Sequence, residues 1–137
     1  MTIKNIFDEI NSVSGDKDKM AILAKYKDNE LLKRVLYLCK SKRVKFYIKQ
    51  IPEQGTKNVK LVGLEVALNE LNLIKDRVYT GSEASSFLKG LLESVNEDDA
   101  YIIERIIDKD PKIGMGTTFI NKIYKDKTTP ELIEDTP

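Results

Sequence analysis

The 137-residue sequence contains no histidine, a single cysteine and no long apolar run, and each of these absences excludes a class of function. Without histidine, neither a Ser-His-Asp nor a Cys-His nucleophile system can be assembled. Without histidine or a second cysteine, a zinc site of the usual ligand type cannot be built. No apolar stretch approaches the roughly 20 residues that a membrane span requires, so we expect no membrane association.

The sequence also lacks the glycine-rich loop that binds nucleotides, since no Gly-x-x-x-x-Gly-Lys-Ser/Thr motif occurs in it. The acidic run at residues 97–99 stands where a helix is predicted to begin, and the helix dipole explains it without a metal. Cys39 lies on an apolar helical stripe, which favours a buried, reduced thiol in a cytoplasmic protein. The residues therefore predict no catalytic centre, no cofactor and no metal in this chain.

What the sequence does contain is apolar residues at helical spacing almost from end to end. The length and the 41% hydrophobic content suit one domain with its own core. We predict an all-α fold, a single compact multi-helix domain of about seven or eight helices over residues 1–127. One short helix is predicted at residues 44–51, and residues 52–63 are predicted as the one substantial loop. Residues 58–62 alone could pass for a strand, too short and isolated to make a sheet.

The last ten residues, 128–137, differ from the rest of the chain. They contain two prolines and three acidic residues, and no apolar stripe long enough to pack. We expect a linker there, cut at a domain boundary.

The net charge of +1 hides a strong segregation of charge along the chain. Residues 33–60 carry nine basic side chains and one acidic one, whereas residues 61–110 carry five basic and eleven acidic ones. Residues 111–127 are basic again, with four lysines and one aspartate. A polyanion would be held by the two basic segments, with the acidic segment facing elsewhere. A solvated face without a ligand fits the same pattern, so charge alone leaves both interpretations open.

The first candidate site is the basic stretch around residues 40–49. Its cations surround a predicted helix–helix junction, where they can reach phosphates without being buried. The candidate binding residues are Lys42, Arg43, Lys45 and Lys49. Tyr47 lies on the apolar stripe of the predicted helix, so core packing is favoured for it over contact with a base or a sugar.

The second candidate site is the segment 110–119, Asp-Pro-Lys-Ile-Gly-Met-Gly-Thr-Thr-Phe. A Gly-x-Gly turn opens here directly into an amphipathic helix, whose first backbone N–H groups can attract an anion. Threonine hydroxyls and flanking lysines add donors and charge, in the style of a helix–hairpin–helix that grips one DNA phosphate without reading sequence. The candidate residues are Lys112, Gly114, Gly116, Thr117, Thr118 and Lys122.

Two stretches carry a family resemblance. The first is Ala-Ile-Leu at 21–23 followed by Lys-Asp-Asn-Glu-Leu-Leu-Lys-Arg-Val at 27–35, and the second is Tyr-Ile-Lys at 47–49 with Pro52 three residues later. Both resemble the N-terminal region of the ATP-dependent DNA ligases of T-even-type bacteriophages. Near the two ends of the chain, further residues occur in the same order as in that family: Glu9, Ile10, Ser12, Gly114, Asn121 and Lys122. The resemblance spans nearly the whole chain and is specific through residues 21–52.

The resemblance implies an all-α domain that holds nicked double-stranded DNA mainly through minor-groove-side backbone contacts. Adenylyltransferase and OB domains would complete a ring around the DNA. It implies that the phosphate-gripping turn contains Gly114, Gly116, Thr117 and Thr118, and that the basic face contains Lys42, Arg43, Lys45 and Lys49. The family's Lys-x-Asp-Gly nucleophile motif does not occur in these residues. ATP and Mg²⁺ would therefore belong to an absent part, with residues 128–137 leading toward an absent adenylyltransferase domain.

These observations predict a sequence-independent binding domain for duplex or nicked DNA. It would be part of an ATP-dependent DNA ligase serving replication, repair and recombination, with no catalytic centre of its own. We expect a monomer in the cytoplasm of a bacterial host cell. The alternative is a helical adaptor that docks a replication protein such as a sliding clamp, through the acidic segment or the 52–63 loop. A complete enzyme in 137 residues is disfavoured by the absence of histidine and of a nucleotide loop.

Overall fold

The computed structural model describes residues 1–125 and 132–134, and within them the fold is all-α, as predicted, with seven helices and no strand. Among the described residues, no helix has both the length and the apolar character that membrane crossing requires. The helices are α1 (Ile3–Asn11), α2 (Asp16–Lys25), α3 (Glu30–Lys40), α4 (Leu64–Lys75), α5 (Gly81–Glu93), α6 (Glu97–Ile107) and α7 (Thr117–Tyr124).

Three helices begin where a polar side chain caps the first turn. Thr2 and Asn5 form a reciprocal capping box at the start of α1. The side chain of Asn29 accepts a hydrogen bond from the backbone N–H of Leu32 at 3.0 Å, and α3 follows it. Asn96 caps α6 in the same way, so the acidic run at 97–99 occupies the first turn of that helix, as predicted.

Two helices end in a left-handed residue that is basic rather than glycine. Arg77 (φ 64°) follows α4, and Lys109 (φ 59°) follows α6. In each case the N–H of the next residue reaches back to a helix carbonyl, at 2.9 Å from Val78 and 3.1 Å from Asp110. This is the Schellman arrangement, in which glycine is the usual residue. The chain therefore reverses sharply at both points and turns two cations back over neighbouring elements.

The core is built around α6, which packs against α1, α3 and α5. Helix α2 bridges α1 and α7, while α4 packs on α5. The side chains at the centre are almost fully buried, and each stabilises the fold by roughly 1.5–3 kcal/mol. They include Ile6, Phe7, Ile10, Leu36, Ile102 and Ile103.

The helix predicted at residues 44–51 is wrong, because residues 41–63 contain no helix. Val44 and Phe46 are buried while Lys45 and Tyr47 are exposed, which is the alternation of an extended chain. Tyr47 has a φ of 59°, which interrupts any helix. The prediction of core packing for Tyr47 is wrong as well, since that residue is 63% exposed and its neighbour Phe46 takes the buried position.

Three residues of the segment predicted as a linker are described, whereas 128–131 and 135–137 lie outside the described residues. Ile133 is 1% exposed. The side chain of Asn121 donates to the Ile133 carbonyl and accepts from its N–H, both at 2.9 Å. The expectation that this segment does not pack is therefore wrong at Ile133, and the domain boundary at residue 128 stays a prediction.

Candidate nucleic-acid interface

The two candidate sites predicted from the sequence meet at one pocket of 470 Å³. This basic pocket lies between the C-terminal end of α3, the start of α7 and residues 133–134. It is lined by Lys40, Lys42, Thr117, Thr118, Asn121, Lys122, Lys125, Ile133 and Glu134. Four of the predicted binding residues, Lys42, Thr117, Thr118 and Lys122, are thus brought together although they lie far apart in the sequence. Lys40 and Lys125 add two cations outside the predicted set.

The start of α7 supplies the hydrogen-bond donors of the basic pocket. Gly116 is the N-cap in an extended conformation (φ −82°, ψ 171°) and brings no side chain over the first turn. The N–H groups of a first helical turn have no partner inside their own helix, so they are available to an anion. Thr118 is exposed and Thr117 half-exposed in that same turn. Backbone N–H groups, hydroxyls and ammonium groups therefore surround one space.

The loop from α6 to α7, residues 108–116, is held from the side of α1. The Asn11 amide donates to the Lys112 carbonyl at 3.0 Å, and the Lys112 N–H donates to the Asp110 carboxylate at 2.9 Å. Lys112 and Gly114 have positive φ values of 54° and 68°. Neither residue lines the basic pocket, and the same holds for the predicted site residues Gly116 and Arg43.

Gly114 lies against the side chain of Lys19. A Cβ atom at position 114 would stand 3.3 Å from Lys19 Cε, which is tighter than an ordinary contact. Lys19 is itself buried and donates from Nζ to the Ile10 carbonyl at 3.1 Å. A cation at the C-terminal end of a helix is stabilised by the helix dipole, so Lys19 both closes α1 and supports the loop.

The stretch predicted as the first candidate site is a loop, residues 41–49, which we call the basic loop. Lys42, Lys45 and Lys49 line a second space of 580 Å³ on it. The other residues that line it are Ser41, Val44, Phe46, Tyr47, Ile48, Ile107 and Lys109, and we call it the apolar pocket. Because Lys42 lines both spaces, the basic and apolar pockets adjoin.

Lys109 holds the start of the basic loop. Its Nζ donates to the Leu38 carbonyl at 2.6 Å and to the Ser41 carbonyl at 2.7 Å. Burial lowers the pKa of Lys109 to about 8. The lysine thus caps the C-terminal end of α3 and fixes the point from which the loop departs. Sequence reasoning missed this role, because the hydrogen bond to Leu38 joins residues 71 positions apart.

Glu134 is a carboxylate within the basic pocket. It accepts a hydrogen bond from the Ser41 hydroxyl and lies 3.6 Å from Arg43 Nε. Burial acts to raise the pKa of Glu134, but the Ser41 hydrogen bond and the Arg43 charge outweigh it and hold the pKa below its ordinary value. Arg43, a predicted DNA-binding residue, is therefore paired with an anion of this chain. No local pattern predicted this contact, because the segment containing Glu134 was expected not to pack.

Comparison with known proteins agrees with the resemblance in the sequence. No family model matches the chain. It is 34% identical over 138 residues to the DNA ligases of Enterobacteria phage T4 and Enterobacteria phage T6. Each match covers 98% of this chain and 27% of the ligase, so the chain spans about a quarter of the length of these relatives.

The fold recurs in solved structures. Pmar-Lig_PreS3 matches 90% of this chain with a TM-score of 0.80, and Pmar-Lig_Pre matches 90% with a TM-score of 0.77. The identity is 20% in both cases, and the match covers 29% of each of those chains. At that identity the similarity shows the helical fold alone.

Proposed function

Because this chain is homologous over nearly its whole length to T4-type phage DNA ligases, we propose that it is a DNA-binding domain of such an enzyme. The domain holds duplex DNA at a nick through the phosphate backbone, without reading sequence. It adds affinity and positions the nick for sealing by other domains. We expect it to act as a monomer in the cytoplasm of a bacterial host cell.

The observation that carries this proposal is the meeting of two basic segments at one pocket. Four lysines line the basic pocket together with the start of α7 and two threonines. Like charges gathered at one place repel one another, and among the described residues that line the pocket Glu134 is the one carboxylate. A phosphate group would accept hydrogen bonds from the N–H and hydroxyl donors and interact with the ammonium groups at the same time.

The donors also account for binding without sequence preference. Bases are read mainly by bidentate side chains such as Arg, Asn and Gln in the major groove. The basic pocket instead offers ammonium, hydroxyl and backbone N–H groups, which are typical phosphate ligands, while the amide of Asn121 is hydrogen-bonded to Ile133. Lys45 and Lys49 on the basic loop continue the cationic surface beyond the pocket.

The reaction itself belongs to parts of a ligase that this chain does not contain. ATP and Mg²⁺ are the cofactors that the family resemblance implies. Among the described residues, no group of three or more His, Cys, Asp or Glu side chains could hold a metal ion. The Lys-x-Asp-Gly motif does not occur in the sequence either. These residues do not fit the cofactors, and we assign no step of the chemistry to them.

The first test is binding to nicked and intact duplexes of unrelated sequence, followed by fluorescence anisotropy across a salt series. If about six phosphates are contacted, log K should fall against log salt with a slope near −5. Equal affinity for unrelated sequences is expected, with a preference for the nicked duplex if the domain positions the nick. Absence of binding at low salt by the folded protein would refute the proposal and favour the adaptor that docks a replication protein.

A pair of variants locates the interface. The double variant Lys42→Ala/Lys122→Ala removes two cations of the basic pocket and should reduce the magnitude of the salt slope by about two. The control is Lys27→Ala/Lys60→Ala, which removes the same charge at two exposed lysines outside the pocket. An equal loss in both variants would show that net charge, rather than this pocket, accounts for binding.

A further inference from the structure

Tyr47 and Arg77 form an exposed pair that packing does not explain. The Arg77 guanidinium lies 4.2 Å from the centre of the Tyr47 ring, yet that tyrosine is 63% exposed. Tyr47 has a left-handed backbone (φ 59°) within a loop, whereas the left-handed φ of Arg77 (64°) belongs to the Schellman arrangement that ends α4. Such conformations are costly for residues other than glycine and gather at functional sites. A cation–π contact at an exposed site contributes only about 0.5–1 kcal/mol, so this contact alone does not account for an exposed tyrosine ring here.

The ring borders the apolar pocket on the basic loop. Val44, Phe46, Ile48 and Ile107 contribute apolar walls to this 580 Å³ space. Four lysines also line it, and within the described part of the chain no carboxylate does. An apolar space with a cationic rim suits a flat, weakly polar group that has negative charges beside it.

The floor of the apolar pocket is firmly held. The two hydrogen bonds of Lys109 to the carbonyls of Leu38 and Ser41 fix one side of it. Phe46 is 4% exposed and packs into the core, which anchors the loop directly beside Tyr47. A tyrosine on such a support presents its ring in a fixed orientation, so little ordering is needed when a ligand binds.

We propose that Tyr47 and the apolar pocket receive an unpaired base of a DNA strand whose phosphates lie on the lysines of the basic loop. This inference rests on the proposed function and adds a ligand chemistry to it. A nucleobase offers an apolar π face to the ring, and its flanking phosphates face Lys42, Lys45 and Lys49. Arg77, on the ring of Tyr47, strengthens the stack through its charge. Stacking tolerates every base, in keeping with binding that does not read sequence.

The charge of the rim selects this occupant. A nucleic-acid strand carries a phosphate on each side of every base, which complements lysines placed around an apolar space. The continuity of the two pockets at Lys42 lets one strand run from the basic pocket past Tyr47. An acidic peptide shares the negative charge but not the regular alternation of planar group and anion.

The experiment compares a short oligothymidylate with an abasic oligomer of the same length, which keeps the phosphates and lacks the bases. Wild-type protein should bind the oligothymidylate more tightly. Tyr47→Ala should weaken that binding about 5- to 150-fold and leave binding of the abasic oligomer unchanged, because only the stack is removed. Tyr47→Phe should retain the wild-type affinity for both.

The control variant is Tyr101→Ala, which removes a tyrosine that also lies near two cations, Lys4 and Arg105, but outside both pockets. Thermal unfolding confirms that each variant is folded. Equal binding of the two oligomers by the wild type, or an equal effect of Tyr47→Ala on both, would overturn the inference. Duplex binding is tested separately, with nicked duplex and the Lys42→Ala/Lys122→Ala variant. Loss of the base stack and failure of duplex binding are therefore distinguishable.

Discussion

At the scale of single residues, Lys109 holds the start of the basic loop. Its ammonium group satisfies the carbonyls of Leu38 and Ser41, and Ser41 is fully buried. In Lys109→Met the stem is kept and both hydrogen bonds are lost, so the free energy of unfolding should fall by about 2 kcal/mol. Chemical denaturation measures this, with Lys112→Met, at an exposed lysine nearby, as the control. Equal stability of the two variants would contradict the capping role.

The same variant should also change how stability depends on pH. Burial lowers the pKa of Lys109 to about 8, from 10.5. Above pH 8 the unfolded chain therefore holds this proton more firmly than the folded one, and stability rises with pH until about 10.5. Burial raises the pKa of Cys39 from 9.0 to about 12 and that of Tyr124 from 10.0 to about 12. Because the unfolded chain loses these protons first, the two groups lower stability as the pH rises above 9 and 10, respectively.

We therefore expect the denaturation midpoint of the wild type to rise between pH 8 and 9 and then to level off or fall. Lys109→Met should lack the rise and keep the later decline. Denaturation midpoints of the wild type and of Lys109→Met, measured across this pH range at constant ionic strength, test the prediction. A rise of the same size in both proteins would show that a group other than Lys109 titrates.

Individual site residues were predictable where the local sequence alone defines the chemistry. Thr117 and Thr118 follow a Gly-x-Gly turn, and the structure places them at the start of α7 on the basic pocket. Glu134 was not predictable, because its partner Ser41 is 93 residues away and nothing in the local pattern indicates the contact. Whether the predicted residues touch DNA stays a prediction.

At the scale of elements, the loop between α6 and α7 depends on the absence of a side chain at one glycine. Gly114→Ala places a methyl group in a left-handed conformation and 3.3 Å from Lys19 Cε. The left-handed backbone conformation, which is unfavourable for alanine, should by itself lower the free energy of unfolding by about 1–2 kcal/mol. Displacement of Lys19 from the Ile10 carbonyl would add to this loss.

Gly116→Ala is the matched control for that measurement. Gly116 has a φ of −82° and no atom within 4 Å of an added Cβ, so its substitution should cost only the weaker N-cap preference of alanine, about 0.5–1 kcal/mol, and less than Gly114→Ala. Urea denaturation of both variants gives the comparison. Equal losses would mean that the loop tolerates a side chain at Gly114 and that its left-handed geometry is not required.

The start of α6 was predicted correctly, because acidic residues favoured at a helix N-terminus stand at 97–99 directly before its apolar positions. The predicted helix at 44–51 failed because four apolar residues happened to fall at helical spacing. Residues 41–63 form one segment without a helix, and contacts with distant elements hold it in place. The Asn58 N–H donates to the Glu93 carbonyl at 2.9 Å and the Val62 N–H to the Ser94 carbonyl at 2.7 Å, which ties the later part of the segment to the end of α5.

At the scale of the whole molecule, folding gathers charge that the net value of +1 conceals. Segments far apart in the chain supply the four lysines of the basic pocket, while Glu134 places one opposing charge among them. The charge runs and the all-α class were readable from the sequence. The convergence of the two basic segments on one pocket was not predictable, because it depends on how the core places α3 and α7.

Glu134 should act as an internal competitor of the DNA phosphate. In Glu134→Gln the hydrogen bond from Ser41 can persist while the negative charge in the basic pocket is removed. Affinity for nicked duplex at low salt should increase about 2- to 5-fold. Anisotropy titrations measure this, and Glu53→Gln, at an exposed carboxylate outside the basic pocket, is the control. Unchanged or weaker binding would show that Glu134 does not oppose the ligand.

The buried Cys39 has a consequence for the chemical reactivity of the domain. The thiolate is the form that undergoes alkylation, oxidation and disulfide exchange, and a thiol with a pKa of about 12 contains almost none of it at neutral pH. Since Cys39 is the one cysteine in the sequence, the native protein is inert toward thiol reagents while it stays folded. A cysteine introduced at an exposed position, as in Lys60→Cys, would therefore take up a fluorophore or a cross-linker at that position alone.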